Sequence, residues 1–118
     1  MNKGIVLIRI MLGVVFCIHG TQKILGGFED PVNMMVMLNL PAFLGILLSI
    51  FEFLGGILII FGIIINYISL GFILICIGAL ITVHLKEGYM ASEFVLTLLM
   101  MSTSMILSYK WRKIVQFL

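Results

Sequence analysis

A run of 33 residues, Phe53 to Leu85, contains no Asp, Glu, Lys or Arg. A single helix of that length would reach about 50 Å, at about 1.5 Å per residue. The hydrocarbon core of a bilayer is only about 30 Å thick, so the run is expected to turn once within itself. Asn66-Tyr67 is the polar break near its middle, and it predicts a tight turn between two membrane helices.

The composition agrees with a membrane protein. The chain has 118 residues, of which 63% are hydrophobic and 10% are charged, whereas soluble domains contain about 25% charged residues. The net charge of +2 is too small to indicate a nucleic-acid partner. Lipid is therefore the expected solvent for one domain that covers residues 1–118.

Four spans are predicted, at about 4–24, 42–65, 67–85 and 91–109, with a short interfacial or re-entrant helix between the first two. We therefore expect an all-α, integral membrane four-helix bundle. Four spans place both termini on one side, together with Lys3, Lys110, Arg112 and Lys113. The other side holds only two basic residues, Lys23 and Lys86, and the bias favours both termini in the cytoplasm.

Ionisable residues inside predicted spans indicate functional sites, because burying a charge in a bilayer is costly. Glu52 lies near the middle of the second span, where it is expected either to be protonated or to pair with a cation. Arg9 lies about five residues into the first span, at a depth that an extended arginine could bridge to Glu52. An Arg9–Glu52 pair is therefore expected, although Arg9 could instead snorkel to the headgroups.

A second polar cluster is predicted at the outer ends of the spans. It comprises His19, Gln22, Lys23, His84, Lys86 and Glu93. Three interpretations stay open: a metal site, an acid–base or ligand-anchoring site, and side chains that only face headgroup water. The lysines would repel a metal cation, so no metal site is predicted, and histidine favours the acid–base interpretation as a proton carrier at neutral pH.

A polar stripe on the fourth span, formed by Glu93, Thr97 and Ser104, is expected to continue inward from this cluster. With Glu52 and Cys76 it would line an amphipathic cavity that opens outward. The nearby Met100 and Met101 suit a flat or variable apolar ligand.

Three segments carry a family resemblance: RIMLGVVFCIHGTQKILGGF, LPAFLGILLSIFEFLGGILIIFG and ITVHLKEGYMASEF. In order and spacing, they resemble the DoxX family of small four-helix bacterial membrane proteins along nearly the whole chain. The matching positions are Arg9, Gly13, His19, Gly20, Lys23, Pro41, Glu52, Gly55, Gly56, His84, Lys86 and Glu93.

The resemblance implies a bacterial cytoplasmic-membrane protein linked to quinone or thiol redox chemistry. Some relatives are small subunits of quinone-reducing oxidoreductases. The chain looks most similar to members that accompany resistance to catechols and hydroquinones in low-GC Gram-positive bacteria. The sequence has no haem, flavin or iron–sulfur ligand pattern, and nothing in it shows that the chain catalyses electron transfer alone.

The function expected from residues and resemblance together is binding of a quinone or similar small lipophilic ligand. The expected ligand-binding residues are Arg9, His19, Lys23, Glu52, His84, Lys86 and Glu93. No catalytic residue is assigned, and the candidates for a catalytic role are Glu52, His84 and Glu93. Two alternatives stay open: a non-catalytic subunit that docks an oxidoreductase partner or a second copy, and a proton-coupled carrier of lipophilic compounds.

Overall fold

The computed structural model of the chain describes residues 3–87 and 89–116, and it describes side chains for all of these except 82–91. Within that part the fold is all-α. Five helices follow one another: α1 Lys3–Leu25, α2 Glu29–Met37, α3 Phe43–Phe61, α4 Ile65–Glu87 and α5 Tyr89–Ser108. The predicted all-α class and the short helix between the first two long ones are confirmed.

Two of the described helices, Lys3–Leu25 and Phe43–Phe61, are long and apolar enough to cross a membrane, and Ile65–Ile81 and Ser92–Ser108 are shorter apolar helices. Each of these two long helices contains an apolar stretch of 18 residues. Only 28% of that stretch in the first helix and 33% in the second is buried inside the bundle. A core helix of a soluble protein would be mostly buried. Side chains such as Leu7, Leu25 and Leu107 instead stand exposed, as expected for a helical membrane protein whose solvent is lipid.

Three helices end in the same way, which fixes the lengths of the connections. After α1, the Phe28 N–H bonds the Lys23 carbonyl and the Gly27 N–H bonds the Ile24 carbonyl. Gly27 has a φ of 72°, so this is a Schellman ending, in which glycine adopts the left-handed conformation without strain. The same pair of bonds ends α2 at Asn39 and α3 at Gly62.

The α3 ending corrects the predicted position of the turn. The chain reverses at residues 62–64, and α4 already begins at Ile65. Asn66 is therefore not a turn residue. Its side-chain amide lies in the first turn of α4 and donates to the carbonyls of Ile106 and Tyr109, at 3.3 and 2.9 Å, near the end of α5. The polar break in the sequence therefore marks a residue that joins two helix ends.

Helices α1 and α3 run antiparallel with their backbones in close contact. A Cβ atom built on Gly56 would lie 2.6 Å from both the Cys17 amide nitrogen and the Gly13 carbonyl oxygen. One built on Gly20 would lie 2.5 Å from the Phe53 amide nitrogen. Only glycine allows this approach, and small residues have this role in many membrane helix pairs.

The other helices pack on this pair. Pro31 in α2 lies against Gly45 near the start of α3, where a Cβ would come within 2.5 Å of the Pro31 carbonyl. Helix α4 is joined to α1 by Phe72, whose ring stacks on Phe16 with centroids 3.8 Å apart. Helix α5 packs mainly along α4 and also reaches α1.

We expect Gly56→Ala to destabilise the protein by about 1–3 kcal/mol, because the added methyl group overpacks a contact that has no space for it. Gly78→Ala is the matched control. A Cβ there meets nothing within 4 Å, so the substitution should be neutral or slightly stabilising. Unfolding of both variants in detergent measures the difference, and equal stability would contradict the close α1–α3 contact.

Candidate functional site

The α1–α3 register places Lys23 beside Glu52. The Lys23 Nζ lies 2.7 Å from Glu52 Oε2, and these two side chains are 35% and 5% exposed. Glu52 thus has the cation that its burial requires, and the cation comes from the last turn of α1. We call this ion pair the Lys23–Glu52 pair.

The expected Arg9–Glu52 pair is wrong. Antiparallel packing sets Gly13 against Gly56 and Ile60, and Gly20 against Phe53, so Arg9 lies level with the end of α3. Eight residues separate Ile60 from Glu52, which is about 12 Å along the helix axis. Depth alone made the pair plausible, but the register of the two helices excludes it.

Arg9 is fully buried, with 0% of its surface exposed, and it does not snorkel. Its Nη1 donates to the Tyr109 hydroxyl at 3.0 Å and to the Gln116 carbonyl at 2.8 Å, and its Nη2 donates to the Ile60 carbonyl at 3.2 Å. Ile60 lies in the last turn of α3, where carbonyl groups carry the negative end of the helix dipole. The charge of Arg9 is thus balanced in part by a helix end, and Arg9 joins α1, α3 and the C-terminal segment.

The structure describes the side chains of part of the predicted outer cluster. His19 is half-buried on α1 and stacks on Phe94 of α5, with ring centroids 5.3 Å apart. It lies one helical turn before Lys23, so the two side chains belong to the same end of the bundle. Gln22 is exposed. The side chains of His84 and Lys86 lie outside the described residues, and their expected roles stay predictions.

The polar stripe on α5 does not point inward as expected. Glu93 and Thr97 are exposed on the outside of the bundle. The Thr97 and Ser104 hydroxyls donate to the carbonyls of Glu93 and Met100, four residues earlier, at 3.0 and 2.9 Å. Hydroxyl groups on a membrane helix commonly bond their own backbone in this way, and the spacing of a polar stripe does not show which face it occupies.

Other side chains complete the surroundings of the Lys23–Glu52 pair. Cys76, buried on α4, lies within electrostatic reach of Glu52. One turn further in, Phe72 stacks on Phe16 and meets Phe51 edge-on at 5.6 Å. The pair therefore joins α1 to α3 and lies near Cys76 of α4, and packed aromatic rings follow about one helical turn further into the bundle.

Lys23 and His19, one helical turn apart on α1, offer two different kinds of hydrogen-bonding group. A lysine ammonium has three N–H donors, of which Glu52 takes one, and the Lys23 side chain is one-third exposed. A neighbouring imidazole can donate from one nitrogen and accept at the other. Such a site suits a ligand with carbonyl or phenolic oxygens on an apolar body.

Sequence patterns missed the partners of Arg9. Tyr109 was predicted only as the last residue of a span, and Gln116 follows a basic stretch. Both residues are buried, and both accept a hydrogen bond from the Arg9 guanidinium. The available signal was a glutamine next to apolar residues just beyond a predicted span, where an amide is expected to bond protein groups.

We expect Arg9→Met to destabilise the protein by about 3 kcal/mol, because it leaves three acceptors, two of them buried, without a charged donor. Arg112→Met, the same substitution at an exposed arginine, is the control and should change stability by less than about 0.5 kcal/mol. Denaturation of the purified variants in one detergent compares them. A small loss for Arg9→Met would show that the guanidinium does not join these elements.

The Lys23–Glu52 pair should respond asymmetrically to substitution. Lys23→Met leaves a carboxylate that is 5% exposed without its cation, whereas Glu52→Gln leaves an ammonium that can turn toward water. We expect Lys23→Met to cost about 2 kcal/mol, less than for a fully buried pair because Lys23 is partly exposed, and Glu52→Gln to cost less. The double variant should recover most of the loss. Equal and additive losses in this cycle would show that the pair is not coupled.

Comparison with known proteins places the chain. The DoxX family model matches residues 4–85, more than half of the chain, and the match includes both Lys23 and Glu52. A protein of Bacillus subtilis (strain 168) named "Putative oxidoreductase CatD" is 34% identical over 113 residues, covering 92% of this chain and 84% of that protein. No solved structure matches significantly. The chain belongs to the DoxX family.

Proposed function

We propose that the chain binds a quinone or a similar small lipophilic ligand at the outer end of the bundle, beside the Lys23–Glu52 pair. The observation that carries this proposal is the uneven exposure of the pair: the Lys23 side chain is partly exposed, while the Glu52 side chain is enclosed. A ligand oxygen can therefore approach Lys23 without first exposing Glu52.

The pair also suits an apolar ligand electrostatically. Lys23 and Glu52 together carry no net charge, so the site can lie at the edge of an apolar interior at moderate cost. A ligand carbonyl would accept a second N–H from Lys23, and its ring would meet the apolar side chains around the pair. His19 lies one turn away, where an imidazole can pass protons to or from the surface.

The chemistry that fits is quinone-linked redox. Reduction of a quinone to a hydroquinone takes two electrons and two protons. In this proposal Glu52 and His19 exchange the protons, with His84 and Glu93 as further candidates, and an oxidoreductase partner subunit supplies the electrons. The word oxidoreductase in the name of the Bacillus subtilis relative supports the redox class.

The membrane arrangement is part of the proposal. Helices α1, α3, α4 and α5 would span the bacterial cytoplasmic membrane, with α2 along its outer surface and both termini in the cytoplasm. The basic residues Lys3, Lys110, Arg112 and Lys113 support this orientation. The Lys23–Glu52 pair would then open toward the outer leaflet, where lipophilic quinones dissolve.

The alternative of a pure interaction subunit loses part of its support. It required the small-residue faces to be free for a partner, but Gly13, Gly20 and Gly56 are used in the contact between α1 and α3, and Gly45 in the contact with α2. A partner would have to bind other surfaces. The carrier alternative differs from the proposal in requiring net transport.

We expect menaquinone analogues and catechol-derived quinones to bind the purified protein saturably. Lys23→Gln should weaken binding by about 10-fold to 100-fold, since it removes a charged hydrogen bond to the ligand oxygen. Glu52→Gln should weaken it as well, by releasing Lys23 from its position. Glu29→Gln removes an exposed carboxylate on α2 and is the matched control, with unchanged affinity expected. Isothermal titration calorimetry in one detergent gives the dissociation constants.

Two results would overturn this assignment. One is the absence of binding by any quinone in folded wild-type protein, which would favour an interaction subunit. The other is equal quinone affinity in Lys23→Gln, Glu52→Gln and the control, which would place the ligand elsewhere. Uptake of quinone by proteoliposomes, driven by a pH gradient, would instead support a carrier.

A further inference from the structure

Three cations stand together just beyond α5. Lys110, Arg112 and Lys113 are all exposed, and the Lys113 N–H bonds the Lys110 carbonyl at 3.3 Å, which closes a tight turn. We call residues 110–116 the basic loop. The turn brings its charges closer together than an extended chain would.

The basic loop is held in this shape by one side chain. The Gln116 Oε1 accepts the Lys110 N–H at 3.0 Å, and its Nε2 donates to the carbonyls of Lys110 at 2.8 Å and of Lys113 at 3.3 Å. The Gln116 amide thus bonds both ends of the turn. The loop is therefore organised before any ligand arrives, which lowers the entropy cost of binding.

The loop is also fastened to the bundle. The Gln116 N–H bonds the Gly62 carbonyl at 2.7 Å, and the Ile64 N–H bonds the Ile114 carbonyl at 2.6 Å. Arg9 adds a bond to the Gln116 carbonyl. These contacts fix the position of the three exposed cations relative to the ends of α3, α4 and α5.

The like charges have a cost that an anion would relieve. In the side chains that the structure describes, the ion pair found is Lys23–Glu52, and none of the three loop cations has a carboxylate within ion-pair distance. Lysines and arginines held close together repel one another unless an anion lies between them. The arrangement therefore favours an anion with several oxygen acceptors.

The neighbouring side chains indicate where that anion lies. Trp111 meets Tyr67 edge-on, with ring centroids 5.1 Å apart, and both residues are exposed. Ile114 and Val115 are also exposed. Tryptophan and tyrosine concentrate at the headgroup level of membranes, and exposed apolar residues beside them favour contact with acyl chains.

We propose that the basic loop binds the phosphate of an anionic phospholipid. Arg112 offers a planar fork of N–H donors that matches two phosphate oxygens, while Lys110 and Lys113 act as point charges beside it. Trp111 lies at the level of the glycerol backbone, and Ile114 and Val115 contact the upper acyl chain. This site is at the opposite end of the bundle from the Lys23–Glu52 pair. It rests on the proposed membrane arrangement and is independent of quinone binding.

The test uses the full-length protein, stripped of lipid in detergent and titrated with short-chain phosphatidylglycerol, phosphatidylcholine or inorganic phosphate. Native mass spectrometry counts the bound molecules. The neutral triple variant Lys110→Gln, Arg112→Gln, Lys113→Gln should bind phosphatidylglycerol about 100-fold more weakly than wild type, because each surface cation contributes roughly a fivefold factor. The swap Lys110→Arg, Arg112→Lys, Lys113→Arg keeps the charges and should retain most of the binding.

Each other outcome contradicts the proposal in its own way. Equal phosphatidylglycerol binding by the neutral triple variant would place the lipid elsewhere. Equal binding of phosphatidylcholine would mean that the anionic charge is not recognised. Binding of inorganic phosphate at the same concentrations would assign the loop to a soluble anion. All variants lie on an exposed loop, so thermal unfolding should confirm that they fold.

Discussion

The close contact between the α1 and α3 backbones determines most of what this protein can do. Gly13, Gly20 and Gly56 let the two helices approach until a single added methyl group would collide with backbone atoms. Such a contact permits only one register, because sliding a helix by one residue would bring larger side chains into the glycine positions. That register sets Lys23 against Glu52 at one level and Arg9 against the end of α3 at another. Both polar sites therefore follow from a contact between residues that carry no functional group.

The two buried charges illustrate two solutions to the same cost. Glu52 is balanced by a lysine from the neighbouring helix, which leaves a cation partly open and available. Arg9 is instead enclosed among carbonyl and hydroxyl oxygens at a helix end, with 0% of its surface exposed. A group that is fully enclosed by the protein is closed to a ligand, whereas one whose side chain is partly exposed is open to it. For this reason the Arg9 contacts favour a structural role, and the proposed ligand site is placed at the Lys23–Glu52 pair.

The fold class could be predicted from the sequence, because a long uncharged run in a chain this apolar permits few alternatives. The importance of Glu52, Lys23 and Arg9 was also predictable, since ionisable groups are rare inside spans. The partners of these residues could not be predicted. The sequence indicates how deep a residue lies in the membrane, but it does not show which helices are neighbours or which of their faces meet. The prediction that the α5 stripe points inward was wrong for the same reason, because its spacing is equally compatible with an inner and an outer face. Gly20 and Gly56 determine the register of α1 against α3, but their spacing predicts that register only when the partner helix is known.

In the proposed quinone site, the unequal exposure of the Lys23–Glu52 pair would let a ligand contact the lysine while the carboxylate stays enclosed. If a ligand oxygen accepted an N–H from Lys23, the attraction between the ammonium and the Glu52 carboxylate would weaken. A carboxylate in apolar surroundings that loses its cation becomes costly, and taking up a proton removes that cost. Ligand binding at Lys23 and the strength of the ion pair would therefore be linked, and such linkage is necessarily reciprocal. In the proposed reaction the quinone oxygens take up protons as the quinone is reduced, so a carboxyl group beside Lys23 would suit such a site. A structural ion pair with both partners enclosed would lack this coupling, and the one-third exposure of Lys23 makes the difference.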